Sequence, residues 1–420
     1  MVPTEGGSMR RSRVTITLVL AVLTSLSVLL IGTSASAESA GKSPLTIALI
    51  LSETGQAATQ DVGAVQGFEA RLDLQNSEGG ADGHRLVPLV LDDQTSPTEV
   101  VTAVQDAISK GAIGIVSDSA LFFLADKYPQ EAGVPVTGTN TDGPEWGEQP
   151  FTNMFSSDFG SLDPNYPAST LQGLVVKKLG GTIAATYGYG ISPDSTRAVQ
   201  FDTISMKDVG IAVPVQDATV PLGSVDFTSA ALIAKQNNVN ALFPNLEASS
   251  NYALATAYNQ AGIKLRAAVF PVGLQQSLIN SPAWPEVQGD YFMSLFHPFV
   301  IPDPGTKQMQ AALEKYTGFA RTDLFPTFGD YEGWLGADLL IKGIDGAGSN
   351  PTRAGVITAL RGITAYNGNG ILPITINFST DFGHLSPQCV WLFKAERTGF
   401  TLVQKNDVCG YEIPGTNTSG

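Results

Sequence analysis

Short apolar runs alternate with stretches of helical spacing from residue 45 onward. The first runs of strand length are TIALIL (46–51), RLVPLVL (85–91), AIGIV (112–116) and VPVTG (134–138). Between them the spacing predicts helices over 62–76, 97–110 and up to about 132. Ser96 is a suitable N-cap, with Pro97 in the first turn and Glu99 three residues after the cap. The chain therefore begins as β-α-β-α-β-α-β.

The same rhythm restarts after a passage rich in Pro, Gly and Asp, 138–167. Its predicted strands are TIAATY (182–187), IAVPVQ (211–216), NALFP (240–244) and RAAVF (266–270). Predicted helices over 168–179, 194–209, 227–237 and 251–261 precede them. Apolar strands that alternate with helices form parallel sheets covered on both faces. The pattern predicts an α/β protein with two doubly wound parallel-sheet lobes.

The remaining residues, 275–420, are less regular. Helices are predicted near 307–317, 331–344 and 353–360, and a hairpin follows them. Because these residues are too many for a tail, we expect them to complete the first two lobes, so that the chain crosses between lobes more than once. The alternative is a third small domain.

The loops that follow the strands are the expected location of function, because ligands of open parallel sheets bind beyond the carboxyl ends of the strands. A third strand ending at Val116 places Ser117, Asp118 and Ser119 at that edge, where free helix amides can face a ligand. The alternative is that Ser119 only caps the next helix. Tyr187 falls near the cleft loops of the second lobe, where its ring can enclose an apolar group or simply pack in the core.

Composition and charge narrow the class of protein. With 420 residues, 43% hydrophobic and 15% charged, the chain is long enough for two folded domains. Its net charge is −15. An acidic surface repels nucleic acid and anionic membranes, so neither is expected as a partner.

The N-terminus has the layout of a signal peptide over residues 1–37. Three arginines, Arg10, Arg11 and Arg13, precede an uncharged apolar run from Val14 to Ile31, and the small residues Ala35-Ser36-Ala37 follow. We expect cleavage after Ala37, which places the mature protein outside the cytoplasm. An uncleaved membrane anchor is the alternative, since the run is nearly long enough to span a bilayer.

The chain has two cysteines, Cys389 and Cys409. They flank two β-rich halves around the turn-like Glu396-Arg397-Thr398-Gly399, so a hairpin brings them side by side. A disulfide is the natural expectation in an oxidising compartment, and two free buried thiols are the alternative. No cysteine follows Ala37 closely enough to carry a lipid.

Motifs of catalysis are missing from the sequence. It contains no Gly-x-Ser-x-Gly, P-loop or His-Glu-x-x-His, and its histidines, His84, His297 and His384, lie far apart. Asp92 and Asp93 are adjacent in a strand and point to opposite sides, which favours a loop role over a cation site. We therefore expect no enzyme activity, no cofactor and no metal.

Three stretches of the sequence resemble segments of a known family. The stretch TIALILSETGQAATQDVGAVQGFEARLDLQNSEGGADGHRLVPLVLDDQTSPTEVVTAVQDAISKGAIGIV has the order of elements of periplasmic substrate-binding proteins of the branched-chain amino acid ABC transporter type. VDFTSAALIAKQNNVNALF and DYEGWLGADLLIKGI are similar to later segments of that family. The resemblance covers about 44–400.

The resemblance implies the type I periplasmic binding protein, or Venus flytrap, fold with the ligand cleft between its lobes. Residues 44–160 and 292–380 would form lobe 1, and 161–291 and 381–420 lobe 2. It also implies a solute-binding component of an ABC importer, a monomer in the periplasm or at the cell exterior that closes on a small molecule and docks on a membrane permease. The alternatives are a ligand sensor of the same fold and an exported α/β enzyme.

The family's binding positions can be placed on this chain one at a time. Ser119 matches the serine that receives an amino acid's carboxylate together with helix amides. The other positions implied by the resemblance are Gln60, Asn140, Asp142, Ser192 and Glu247. Where amino acid binders carry an acidic partner for the ammonium group, this chain has Pro271 or Val272.

Two acidic residues depart from the amino acid pattern. Asp142 would repel a ligand carboxylate, and Asp118 adds a second negative charge, so an α-amino acid would meet like charges in a closing cleft. The sequence therefore predicts that the ligand is not a standard α-amino acid. A neutral, hydroxylated or cationic solute held by Asp118, Asp142 and Glu247 is expected instead.

Overall fold

A computed structural model describes residues 42–139, 142–146, 151–158, 167–380 and 388–417. The predicted signal peptide and Asn140 lie outside these ranges. Within them, none of the helices combines the length and the apolar character that crossing a bilayer requires.

The strands form two sheets. The first is parallel throughout, in the order β2-β1-β3-β4-β5, and the second has the order β12-β11-β10-β9-β8-β6-β7, with β13 paired to β11. The strands are β1 (Lys42–Leu51), β2 (His84–Asp92), β3 (Gly114–Asp118), β4 (Val136–Gly138), β5 (Met154–Ser156), β6 (Ile183–Tyr189), β7 (Ala212–Val220), β8 (Ala241–Asn245), β9 (Ala267–Phe270), β10 (Tyr291–Ser294), β11 (Gln388–Glu396), β12 (Gly399–Leu402) and β13 (Val408–Gly410).

Helices cover both sheets. They are α1 (Ala64–Ser77), α2 (Pro97–Ser109), α3 (Lys127–Glu131), α4 (Leu171–Lys178), α5 (Pro193–Asp208), α6 (Thr228–Gln236), α7 (Ala248–Gln260), α8 (Gln276–Ile279), α9 (Pro304–Tyr316), α10 (Phe328–Gly346) and α11 (Arg353–Arg361). Each sheet has an apolar cluster on each of its two faces. The predicted architecture of two doubly wound lobes is confirmed, with an antiparallel edge of β11 to β13 on the second sheet.

The chain passes between the two sheets more than once, as predicted. Strands β1–β5 build the first sheet and β6–β10 most of the second; α9 and α10 then pack beside α1 on the first sheet, and β11–β13 return to the second. We call each sheet with its helices lobe 1 and lobe 2. Residues 159–166 and 381–387 lie outside the described residues, so the exact bounds of the lobes stay a prediction.

Two local expectations are wrong. The helix expected to run to about 132 is a 3-10 turn, Phe122–Leu124, followed by the five-residue α3. Pro129 has no N–H to donate inside a helix and is tolerated only in a first turn, so a long helix cannot pass through it. Strand β3 also ends at Asp118 rather than at Val116, because Ser117 and Asp118 pair with Ile50 and Leu51 of β1.

The predicted hairpin and disulfide are confirmed. Strand β11 turns into β12 with Glu396 opposite Gly399, and β13 then brings Cys409 opposite Cys389. The two sulfur atoms are bonded, and Cys389 is buried. The disulfide therefore joins strands that belong to lobe 2.

Helices α1 and α10 approach each other at glycines. A Cβ atom on Gly333 would overlap the carbonyl oxygen of Ala64, and one on Gly67 would overlap the carbonyl oxygen of Asp330. Both oxygens belong to helix backbone, which cannot move aside without breaking the packing of lobe 1. The absence of a side chain at these two positions therefore sets the distance between the helices.

We expect Gly333→Ala to lower the free energy of unfolding by about 3 kcal/mol, because overpacking a buried contact costs on this order. Gly355→Ala in α11 is the matched control, since its new Cβ would lie 3.2 Å from the Thr352 hydroxyl and meet no helix backbone. Urea denaturation of both variants measures the difference. Equal stability of the two variants would contradict the close-contact argument.

Candidate functional site

A cavity of about 170 Å³ lies where the carboxyl ends of the two sheets face each other. Its wall combines residues that follow strands of both lobes, such as Asp142 and Asp158 of lobe 1 and Tyr189, Asn245 and Val272 of lobe 2. This is the edge at which ligands of open parallel sheets bind. The cavity is therefore the candidate binding site.

Apolar side chains make up most of the wall, and all of its charged residues that the structure describes are acidic. The apolar part includes Leu171, Ala198, Phe201, Phe243, Leu246, Met293, Leu295, Phe328, Leu372 and Ile374. Four aspartates share the wall: Asp142, Asp158, Asp194 and Asp202. The lining residues that the structure describes include no Lys, Arg or His.

Only some of the residues singled out from the sequence reach this cavity. Gln60 and Asp142 line it, as do Pro271 and Val272. Asp118, Ser119, Tyr187, Ser192 and Glu247 are buried nearby but are not part of its wall. Asn140 is outside the described residues.

The hydroxyl group of Ser119 already has a carboxylate partner within the protein. It donates to the Asp93 carboxylate, which also accepts the backbone N–H of Thr95 at 2.7 Å. Asp93 is fully buried. An internal carboxylate thus occupies the hydrogen-bonding capacity that the resemblance assigns to a ligand carboxylate.

Asp118 does not line the cavity and instead lies against Glu332 of α10. Its carboxyl group meets that of Glu332, and both groups are buried. Two carboxyl groups can form a hydrogen bond only when one carries a proton. Burial raises the pKa of Asp118 to about 7, against the lowering effect of its bond with Glu332. Burial and the charge of Asp118 raise the pKa of Glu332 as well.

The remaining predicted residues of lobe 2 have structural partners. The hydroxyl groups of Tyr187 and Tyr258 lie 2.8 Å apart in the core. Ser192 caps α5 by accepting the N–H of Ser195 at 2.9 Å. Glu247 precedes α7, and its Oε1 accepts the hydroxyl groups of Ser249 and Ser250 at 2.8 and 3.2 Å.

Hydrogen bonds join the lobes at the lips of the cleft. The Thr59 hydroxyl of lobe 1 donates to the Glu247 carboxylate of lobe 2. The backbone oxygen of Asp142 accepts from the Ser192 hydroxyl at 3.2 Å and from the N–H of Asp194 at 3.3 Å. The structure is therefore a closed form, in which Glu247 and Ser192 hold the lobes together.

Asp202 is the cavity residue that sequence reasoning missed most clearly. It lies inside α5, is 2% exposed, and its Oδ2 accepts the Thr186 hydroxyl at 3.1 Å and the Asn245 amide at 2.6 Å. Burial raises its pKa to about 7, against the lowering effect of these two hydrogen bonds. No signal in the sequence distinguishes it, because its place on the cavity wall depends on how α5 packs.

Comparisons with known proteins agree with this architecture. A family model described as "Periplasmic binding protein" matches residues 44–400. No curated protein matches the chain. Many solved structures do.

Three of these structures illustrate the likeness. A fatty acid ABC transporter substrate-binding protein from Thermomonospora curvata is 18% identical, with a TM-score of 0.71 over 89% of this chain and 93% of that one. A branched-chain amino acid transporter substrate-binding protein from Streptococcus pneumoniae in complex with isoleucine is 15% identical, with a TM-score of 0.69 over 87% of this chain and 99% of that one. An ABC transporter solute-binding protein from R. palustris in complex with benzoate is 16% identical, with a TM-score of 0.70 over 90% of this chain and 99% of that one. At these identities the likeness concerns the fold.

The buried pair of Asp118 and Glu332 leads to a prediction about stability and pH. Because burial raises both pKa values, the folded protein holds protons that the unfolded chain releases above pH ~4, so stability falls as the pH rises toward 7 and beyond. Glu332→Gln removes one acid and lets an amide donate to Asp118. We expect this variant to be more stable than the wild type by about 1–3 kcal/mol at pH 8, and to differ less at pH 5.

Urea denaturation at pH 5 and pH 8 measures this effect. Glu131→Gln changes an exposed acid at the end of α3 and is the control, with the same pH dependence as the wild type. A wild-type stability that rises from pH 5 to pH 8, with Glu332→Gln following it in parallel, would rule out the shared proton.

Proposed function

The chain belongs to the periplasmic binding protein family, and from that premise we propose that its cleft captures a small solute that is not a standard α-amino acid. It is the solute-binding component of an ABC importer: its lobes close on the solute, and the closed form delivers it to a membrane permease. The predicted resemblance to the branched-chain amino acid type is thus confirmed at the level of family and fold.

The observation that carries the ligand proposal is the bond between Ser119 and Asp93. A ligand carboxylate at that serine would have to displace a buried internal carboxylate or lie beside it. Either arrangement brings two like charges together where water is excluded, at a cost of several kcal/mol. The related structures with isoleucine or benzoate hold ligands that carry such a carboxylate; the ligand of this chain is proposed to lack one.

The acidic wall supports the same proposal. Of the three carboxylates expected to hold the ligand, Asp142 lines the cavity, whereas Asp118 faces Glu332 and Glu247 binds the opposite lobe. Gln60 and Asp142 are therefore retained as proposed contacts, and Glu247 and Ser192 as residues of closure. A neutral, hydroxylated or cationic solute remains the proposed class.

The location and assembly follow the family. The protein works outside the cytoplasm, and we propose that residues 1–37 are its signal peptide, cleaved after Ala37. We further propose that the mature chain acts as a monomer at the permease. The two lobes are proposed to comprise 44–160 with 292–380 and 161–291 with 381–420.

Binding measurements test the ligand proposal. We expect calorimetry with leucine, isoleucine and valine at millimolar concentration to detect no binding. Native mass spectrometry of the protein as purified is expected to release a solute without an α-amino acid group. Tight binding of any of the three amino acids would refute the proposal.

A second prediction concerns closure. Thr59→Val removes the donor of the bond that joins the lobes and leaves Glu247 with Ser249 and Ser250. A hydrogen bond of this kind contributes about 1–2 kcal/mol, so the ratio of closed to open molecules should fall by about fivefold or more. Small-angle X-ray scattering of the ligand-free protein should then give a larger radius of gyration.

Thr102→Val is the matched control for closure, because the Thr102 hydroxyl donates to Thr98 within the exposed face of α2. It should leave the scattering curve unchanged. An unchanged curve for Thr59→Val would mean that this bond does not hold the lobes together.

A further inference from the structure

We propose that the ligand is an organic cation, a small apolar body that carries one ammonium-type group, and that the cationic group binds the Asp202 carboxylate on the lobe 2 side of the cavity. This inference rests on the proposed function and deepens it. It places the ligand's charge in lobe 2, on α5, rather than at the Ser119 position of lobe 1.

Asp202 is held at the edge of the cavity by two strands of lobe 2. Its side chain is 98% buried and yet borders the cavity. Thr186 of β6 and Asn245 of β8 both donate to Oδ2, so two strands fix the orientation of the carboxylate and leave the second oxygen, Oδ1, without a donor among them. A ligand that donates a hydrogen bond can bind this second oxygen of the carboxylate.

The described groups around Asp202 are neutral or acidic. The donors to Asp202 are a neutral hydroxyl and a neutral amide, and burial is the main influence on its pKa. The other titratable groups on the described cavity wall are Asp142, Asp158, Asp194 and Tyr189, and none of them is basic. A cationic group on the ligand would strongly stabilise the ionised carboxylate in this place. Without such a partner, burying the negative charge costs free energy.

The rest of the cavity is mostly apolar and of the size of a small ring compound. Phe243, Met293, Leu295 and Phe328 surround the space beyond Asp202. A volume of about 170 Å³ resembles that of cavities of ~150 Å³ that accept benzene. Aromatic rings near an acid also suit ammonium groups, because their faces attract cations. The body of the ligand is therefore apolar and about as large as one ring with a short chain.

The proton on Asp202 gives a readout of the ligand's charge. With a pKa of about 7, the carboxyl group is mostly protonated at pH 6 and mostly ionised at pH 8. A cation binds the ionised form, so its affinity should rise severalfold from pH 6 to pH 8, and binding at pH 6.5 should release part of a proton. A neutral ligand can accept a hydrogen bond from the protonated form and would show no such rise.

Calorimetry with three probes of the same ring tests the inference: benzylamine as the cation, benzyl alcohol as the neutral probe and benzoate as the anion. We expect benzylamine to bind at least tenfold more tightly than benzyl alcohol at pH 8, and benzoate not to bind. Asp202→Asn should reduce benzylamine to the level of benzyl alcohol. Asp217→Asn, outside the cavity, should change nothing.

The proton release of the wild type is measured at pH 6.5 in two buffers of different ionisation enthalpy, so that the result does not depend on how well Asp202→Asn folds. Equal or better binding of benzyl alcohol or benzoate, no proton release, or no binding of any probe overturns the cation proposal. If a neutral solute found by native mass spectrometry still closes the lobes, the proposed function stands; if only an anionic solute or no solute closes them, the proposed function fails as well.

Discussion

A parallel sheet must be covered on both faces, and the helix that meets this requirement in lobe 1 comes from far along the chain. Helix α10 is buried over most of its length and packs against α1, β3 and β4. The chain reaches it only after building most of lobe 2. The repeated crossings, and with them a cleft bounded by two lobes, follow from this one packing requirement. The glycine contact between α1 and α10 lets the backbones of the two helices lie close together.

Hydrophobic periodicity was sufficient to predict most strands and most helices, but not the short strands β5 and β10, which span only three and four residues. It failed at Pro129, where one backbone donor decides the outcome, and at Asp118, where two more residues of β3 pair with β1. The site was harder to predict. The resemblance named Gln60 and Asp142 as binding positions, and both line the cavity. From the sequence, Asp202 is only one polar residue of a predicted helix, and the packing of α5 shows that it borders the cavity. Whether a carboxylate meets a ligand or another side chain depends on contacts between distant segments.

Buried acids are unusually frequent at the carboxyl ends of the first sheet. Asp61, Asp93, Asp118 and Glu332 are all buried, and burial raises the pKa of each. Asp93 is compensated by hydroxyl and amide donors, and Asp118 and Glu332 by a shared proton. The edge of lobe 1 that would otherwise attract an anion therefore carries its own carboxylates. Under the proposed function, these carboxyl groups disfavour an anionic ligand at that edge.

Closure must be favourable with the ligand and unfavourable enough without it for the permease to tell the two states apart. Among the described residues, two side-chain hydrogen bonds join the lobes at the cleft, Thr59 to Glu247 and Ser192 to Asp142, and each contributes about 1–2 kcal/mol net. Contacts of this size can leave both forms populated, whereas moving an equilibrium from 1:99 to 99:1 takes about 5.5 kcal/mol of differential affinity. That difference must come from the cavity, whose wall is complete only when Phe328 of lobe 1 meets Asp202 and Phe243 of lobe 2. Under the proposal that the ligand binds lobe 2 by its charge, it gains the apolar contacts of lobe 1 only on closure, and this gain drives the lobes together.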